Sequence, residues 1–563
     1  MIEERRNTLF PIAFLMLIFI ASPAYAVEEG KRASPSSNRE PLYDNLGTLH
    51  HPITTSNRLA QQYFDQGLRL VYAFNHEEAI RSFEEAARLD PKAAMPHWGT
   101  ALALGPNINA PMNRDQERRA YEAVQKANAR ASQASQRELV YIQALTVRYS
   151  IASDADRKSL DRTYADAMRK LSQQYPDDSD AATLFAEALM DLRPWDFWTR
   201  EGQPQPGTQE IVATLEHVLE RNPNHIGACH YYIHTVEASR QPERALPCAR
   251  RLAGLAPGAG HLVHMPSHVY IRLGMYEEAA RHNTQAVIAD RHYLEGRNLS
   301  GIYPIGYYPH NIHFLWAVLM MQGRSGEAVK AAQDLVRTVP VEAVRAVPEI
   351  ESFLSTPLFT LTRFGQWDEV LQQPPPPSDL SYSLAIWHYA RGLAFIAKGR
   401  LERAEEALQA VKEIAKTISS ERVVGNNSAF SLLRIASQVL AGQLEARGQR
   451  MDEAIRHIQE AVRLQDDLRY YEPPDWYYPV RESLGTLLLS AGRPKEAEAV
   501  FREDLTRTPR NPWSLYGLSQ SLRTQNTEEA TAVREEFQQA WSRADLEFRP
   551  ARFEAFLHTD RRP

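Results

Sequence analysis

The stretch YFDQGLRLVYAFNHEEAIRSFEEAARLDP, residues 63–91, decides the fold. Its spacing of small, aromatic and proline residues reads as a helix-turn-helix unit. Small residues at Gly67 and Ala79 let two antiparallel helices approach, Phe83 fills the gap between them, and Pro91 stops the second helix. A helix pair of this kind cannot bury its apolar face alone, so copies of it are expected to stack.

Copies recur. The same frame returns with Tyr270, Ala279 and Ala286, with Ala328 and Pro340, and with Gly392, Phe395 and Ala404. Further copies carry Gly442, Ala454 and Ala461, then Gly485, Ala497, Phe501 and Pro509. Tyr63, Gly67, Ala79, Phe83, Ala86 and Pro91 stand at the offsets of a 34-residue repeat, and the chain closely resembles the tetratricopeptide repeat family in its exported, bacterial type. The resemblance implies an all-α protein whose helix-turn-helix units stack into a right-handed superhelical solenoid with a concave groove. Gln372–Ser378, with four consecutive prolines, is a stiff spacer. It divides an N-terminal array, 57–371, from a C-terminal array, 379–563.

Histidines sit in the same places of three successive repeats. Ala245 and Pro257 frame a unit starting at Ile226, and Ala279 frames the next at Gly260, 34 residues on. His230 and His264 then share position 5, His234 and His268 share position 9, His261 takes position 2 and Glu237 position 12. A third unit starts at Pro309 after an insertion of 15 residues, placing His310 at position 2 and His313 at position 5. At roughly 100° per residue these positions form one strip about 80° wide, set roughly 120° from the packing positions. In the tetratricopeptide family that strip lines the concave groove, so the resemblance brings the seven histidines and Glu237 onto one patch.

Imidazoles one helical turn apart can share an ion, and neighbouring helices can complete its coordination. The set suits copper, zinc, iron or nickel and exceeds the needs of one ion, so two metals, or one metal with supporting donors, both fit. Hydrogen bonding among the rings, stacking on Tyr231, Tyr232 and Tyr270, or capture of an acidic peptide explains the same residues without metal. His217, His225, His282 and His292 break the pattern and read as surface or satisfied polar residues, while His97 and His388, each beside a tryptophan, read as packing.

The ends bear on location. Leu9–Ala21 is apolar, follows Arg5 and Arg6, and leads to Ala24-Tyr25-Ala26, which reads as a secretory signal over residues 1–26. A periplasmic or secreted protein with no stable membrane span after cleavage is expected, opening on a mobile leader over 27–56. The net charge of −6 offers no basic excess, which argues against nucleic acid as a main partner. Two cysteines, Cys229 and Cys248, allow one disulfide or two buried thiols and exclude a disulfide scaffold.

Segments that interrupt the array are where function concentrates. Arg193–Trp198 reads as a lid or an aromatic plug, with Glu187 upstream as an extra ligand candidate. Tyr470–Pro479 offers aromatic contact to a partner or substrate, or packs for capping alone. Gly105–Asn109 is a turn that could face the groove. Zinc-protease, nucleophile-elbow and phosphate-loop motifs are lacking.

Three functions follow. The first is an exported scaffold with a histidine-lined metal site, binding a protein or peptide partner or a small-molecule substrate in its groove. The second is a metalloenzyme, a hydrolase or a copper or iron oxidase, in which Glu237 is ligand or catalytic base. The third is a metal-free interaction module.

Overall fold

A computed structural model describes residues 40–546 except 153, 154, 298 and 300. The expected signal segment, residues 1–26, lies outside the described residues, as does the start of the expected leader. The leader's described part, 40–56, has no helix. It is fastened by Tyr43, whose hydroxyl donates to Glu78 at 2.8 Å, and by Thr54, whose amide donates to Glu138 at 2.6 Å.

Among the described residues the chain is all-α apart from one β-hairpin of two-residue strands, and helices pair in sequence order. Arg58–Tyr72 starts on an Asn57 cap whose side chain accepts from the amides of Leu59 and Ala60. The chain reverses through Phe74, at φ 56°, into the helix His76–Leu89. A Cβ on Gly67 would lie 2.5 Å from the Phe83 ring, so glycine there is what lets the ring in. Gly485 and Phe501 repeat the device at 2.4 Å. The recurring Gly–Phe pair thus reflects one packing solution used again.

Two compact units share the chain. One comprises Leu49–Phe197 and Gln205–Val218, and the other takes Trp198–Pro204 and the chain from Leu219 onward. In the first, Arg148 is buried between Asp191, at 2.6 Å, and Asp161, at 3.5 Å. Glu187 is buried in the same group, where loss of water pushes its carboxyl up.

The second unit carries the histidines. Its helix pairs stack as an α-solenoid, and one apolar core runs from Val287 to Phe537, including residues on both sides of Gln372–Ser378. The hairpin Val423–Val424 with Asn427–Ser428 turns at Gly425, φ 62°, where a Cβ would fall 1.8 Å from Asp475. Asp475 accepts from the Asn426 amide at 3.0 Å and from Asn427 Nδ2 at 2.8 Å. Asn427 also pairs with Arg469 through both its amide oxygen and its amide nitrogen. Those bonds hold the aromatic segment 469–480 against the repeats. No helix among the described residues is long and apolar enough to cross a membrane.

Candidate metal centre

Three consecutive repeats supply the histidines from their first helices. His225 begins the helix Ile226–Val236 by accepting from the Ala228 amide at 3.1 Å, a capping role rather than a ligand role. Gly260–His264 continues through Met265, which keeps helical angles, into Pro266–Arg272, so His261, His264 and His268 stay on one face. Glycine is required just before His261, since a Cβ on Gly260 would lie 1.9 Å from Asp290 Oδ1. Asp290 also accepts from Tyr303, at 2.8 Å, and from Asn311 Nδ2, at 2.6 Å. The insertion before Tyr308–Met321 therefore ties that helix to its neighbour. Burial pushes the Asp290 carboxyl up to about 7.

Six of the seven expected histidines converge. His230, His234 and His261 form one group and His264, His268 and His310 another, with the ligand atoms of each group within 4.8 Å of one another. Contact between the groups is direct, with ring centroids 5.3 Å apart for His234 and His268 and 5.7 Å for His261 and His264. His313 does not join them. Its ring stacks on Trp316, 5.2 Å between centroids, and meets Phe353 edge-on at 5.1 Å. The segment after the third repeat presents Phe353 in place of another imidazole, so the ladder ends there.

Glu237 lies between the groups. Its Oε1 accepts from His234 Nδ1 at 2.9 Å, and its Oε2 from His268 Nδ1 and from the Tyr470 hydroxyl, the latter at 3.2 Å. Burial alone would raise this carboxyl, but His268 and His234 outweigh it and hold the group at about 2. Both oxygens are engaged, so Glu237 orients ligands rather than standing ready as a base. Burial lowers the pKa of His234, His261, His264 and His310, which keeps the rings in the neutral form that binds metal.

Close approaches between ring nitrogens are the most telling feature. His264 Nε2 and His268 Nε2 are 2.9 Å apart, and His261 Nε2 and His230 Nε2 are 3.1 Å apart. Two ligands on an ion with bonds of about 2.0–2.1 Å stand roughly 2.9–3.4 Å from each other.

The centre is enclosed, with five of the six histidines buried and His310 half-buried. The residues expected on an open groove wall are covered by the chain itself. Tyr470 reaches Glu237, Arg272 lies over the Tyr470 ring at 5.6 Å, and Glu472 is buried beside them, raised to about 7 by burial against the pull of Arg272. Sequence reading named Tyr470–Pro479 as aromatic contact material but carried no signal that it would close over the histidines. Asn283, which accepts from His264 Nδ1 at 2.7 Å, also escaped notice, and Glu187 belongs to the other unit. Trp198 donates its indole N–H to the Thr235 carbonyl at 2.6 Å, on the helix that carries His230 and His234. His282 packs on Tyr270 and His388 on Trp387, while Cys229 and Cys248 are buried free thiols.

The far end of the covering segment lines a cavity of about 90 Å³ with Arg363, Tyr389, Val439 and Gln443, to which it contributes Tyr477 and Tyr478. In the first unit, His51, Asp178 and Asp180 form a smaller buried group, in which His51 Nδ1 pairs with Asp180 at 2.8 Å.

No protein-family model matches the sequence, and no curated protein matches it. Among solved structures, the APC/C hetero-tetramer Cut9-Hcn1 aligns at 14% identity and a TM-score of 0.31, covering 82% of this chain and 76% of that chain. The human IFIT1 dimer with m7Gppp-AAAA aligns at 13% identity and a TM-score of 0.34, covering 86% and 91%. Likeness this low carries no activity or partner to this chain. The helix pairs show the glycine–phenylalanine packing that the resemblance to tetratricopeptide repeats implies.

Proposed function

We propose that this protein is an exported helical-repeat scaffold that holds a transition-metal ion among the buried histidines of its second unit. One observation carries the reading. Asn283 Nδ2 donates to the Ala279 carbonyl at 2.9 Å, which turns its oxygen to His264 Nδ1, so that nitrogen carries the proton. His268 Nδ1 faces the ionised Glu237, so it too is the protonated one. Both rings then direct Nε2 lone pairs at each other across 2.9 Å. A cation makes that approach favourable, either a metal ion or a proton shared between the two rings, and burial works against a proton on His264. A metal ion fits, with the carboxylate and the amide fixing ring orientation as they do for metal-bound imidazoles.

The donor set suits copper, zinc or iron. An interaction module without metal needs a proton between the two Nε2 atoms in place of the ion. A metalloenzyme is the second reading, favoured by the count of three imidazoles per group, which leaves a coordination position that four would close. Export rests on the apolar run Leu9–Ala21.

Metal content of the purified chain, measured by mass spectrometry beside a His264→Ala/His268→Ala variant, tests the proposal. Stoichiometric copper, zinc or iron that the variant loses supports it. A chain that arrives metal-free and rebinds none of these ions defeats it, as does unchanged content in the variant.

A further inference from the structure

The metal reading above accounts for His264, His268 and His310 and leaves three more imidazoles packed against them. We infer that His230, His234 and His261 hold a second ion, so that the cluster is a dinuclear centre with three imidazoles to each metal; this rests on the proposed metal function and deepens it. The two groups share no histidine, and each gathers its ligand atoms within 4.8 Å.

Helix geometry sets the spacing. The middle helix gives His261 to the first group and His264 to the second, three residues and so about 4.5 Å further along the axis. Paired metals in proteins stand roughly 3.5–4 Å apart. The outer helices serve one group each, Ile226–Val236 supplying His230 and His234, and Tyr308–Met321 supplying His310.

One ion does not use all six rings. An ion between His264 and His268 takes up the 2.9 Å approach, yet His230 and His261 bring their own Nε2 atoms to 3.1 Å of each other. His234 gives Nδ1 to Glu237 and stands with His230 and His261 in a group whose ligand atoms lie within 4.8 Å of one another. The carboxylate divides itself evenly, with Oε1 on His234 of the first group and Oε2 on His268 of the second. Glu237 is thereby a positioning residue shared by both ions.

Charge narrows the metal. All six ligands are neutral and the shared carboxylate brings one negative charge, in a place closed to water. Two divalent ions would bury a larger uncompensated charge than two monovalent ones, at a cost that rises steeply with charge. Imidazole-rich sets take copper readily, and Cu(I) is the monovalent ion that fits.

The full chain would be loaded with Cu(I) under anaerobic conditions, freed of excess, and assayed for copper per chain, with Zn(II) loading in parallel. We expect two coppers in the wild type and one in each of two variants, His230→Gln/His261→Gln and His264→Gln/His310→Gln. The ion kept by each variant doubles as its folding control, and His310→Gln alone, altering the half-buried ring, serves if a double variant loses helicity. A single copper in the wild type overturns the dinuclear centre and leaves the metal function standing. Two coppers lost together from a variant of native helicity overturn the division into groups. A wild type that binds neither copper nor zinc overturns the dinuclear copper centre, and the metal function falls with it if iron is not bound either.

Discussion

Positions 5 and 9 of the first helix hold His230 and His234, then His264 and His268, in the histidine repeats, and Tyr389 and Leu393, then Val439 and Gln443, in the repeats beyond the proline spacer. The same strip of the same helix hairpin thus builds a closed imidazole cluster in one region and the wall of a 90 Å³ cavity in the other. Tyr389, Leu393 and Val439 are buried in the apolar core of their repeats, so the same strip packs in one region and gathers imidazoles in the other. In the histidine repeats the chemistry is carried by positions 2, 5 and 9, with Glu237 at position 12.

Breaking the cavity region should cost most. Arg363 is bound through two nitrogens to Glu482, which is fully buried, and lies 3.9 Å from the centre of the Trp513 ring. Arg363→Ala leaves that buried carboxylate without its charge partner, held by the Asn511 side-chain amide at 2.9 Å, and about 3–5 kcal/mol of stability should go. Denaturant unfolding would show the loss, while metal per folded chain should not change. A drop in metal content at constant folded fraction would mean that the two regions are not independent.

His313 sharpens the boundary of the cluster. Burial holds it at about 3 in the folded chain against 6.5 when exposed, so the unfolded chain takes up the proton first. Its contribution is whole above pH 6.5 and is lost as pH falls from 6.5 toward 3, at up to about 1.4 kcal/mol per pH unit. His313→Phe keeps the contact with Trp316 and should flatten that part of the stability profile without altering metal content. Lost metal would return His313 to the ligand set.

Glu237→Gln keeps the shape but can accept at only one atom. Metal affinity should fall about 10–100-fold. Competition with a chromogenic chelator measures it, and unchanged affinity would remove Glu237 from its orienting role. Smallest of all, Tyr470→Phe deletes one hydroxyl bond to Glu237 and should cost about 1 kcal/mol. Faster metal release to a chelator would be the sign that the covering segment guards the site.

The hairpins were legible because their determinants are local. Gly67, Ala79, Phe83 and Pro91 act within one repeat, and the frame they define carried six histidines to the right face. It also placed His313 at position 5, where the frame is right but the neighbours are Trp316 and Phe353. What the ring touches depends on the next repeat, which a period cannot report. Glu237 was singled out, yet its role came from bonds to His268 and Tyr470, 31 and 233 residues away. Asn283, Asp290 and the segment 469–480 act over similar tertiary distances and leave no local pattern.

The covering segment touches both regions at once, with Tyr470 on the carboxylate of the cluster and Tyr477 and Tyr478 in the cavity wall. It covers a face of the histidine-bearing helices, and it is part of the same chain. Any outside segment seeking that face competes with a tethered rival whose effective concentration far exceeds its own. Specificity there becomes a contest of eviction: only a guest able to replace the bonds of Tyr470 and Asp475 would gain entry, and its arrival would uncover the histidines.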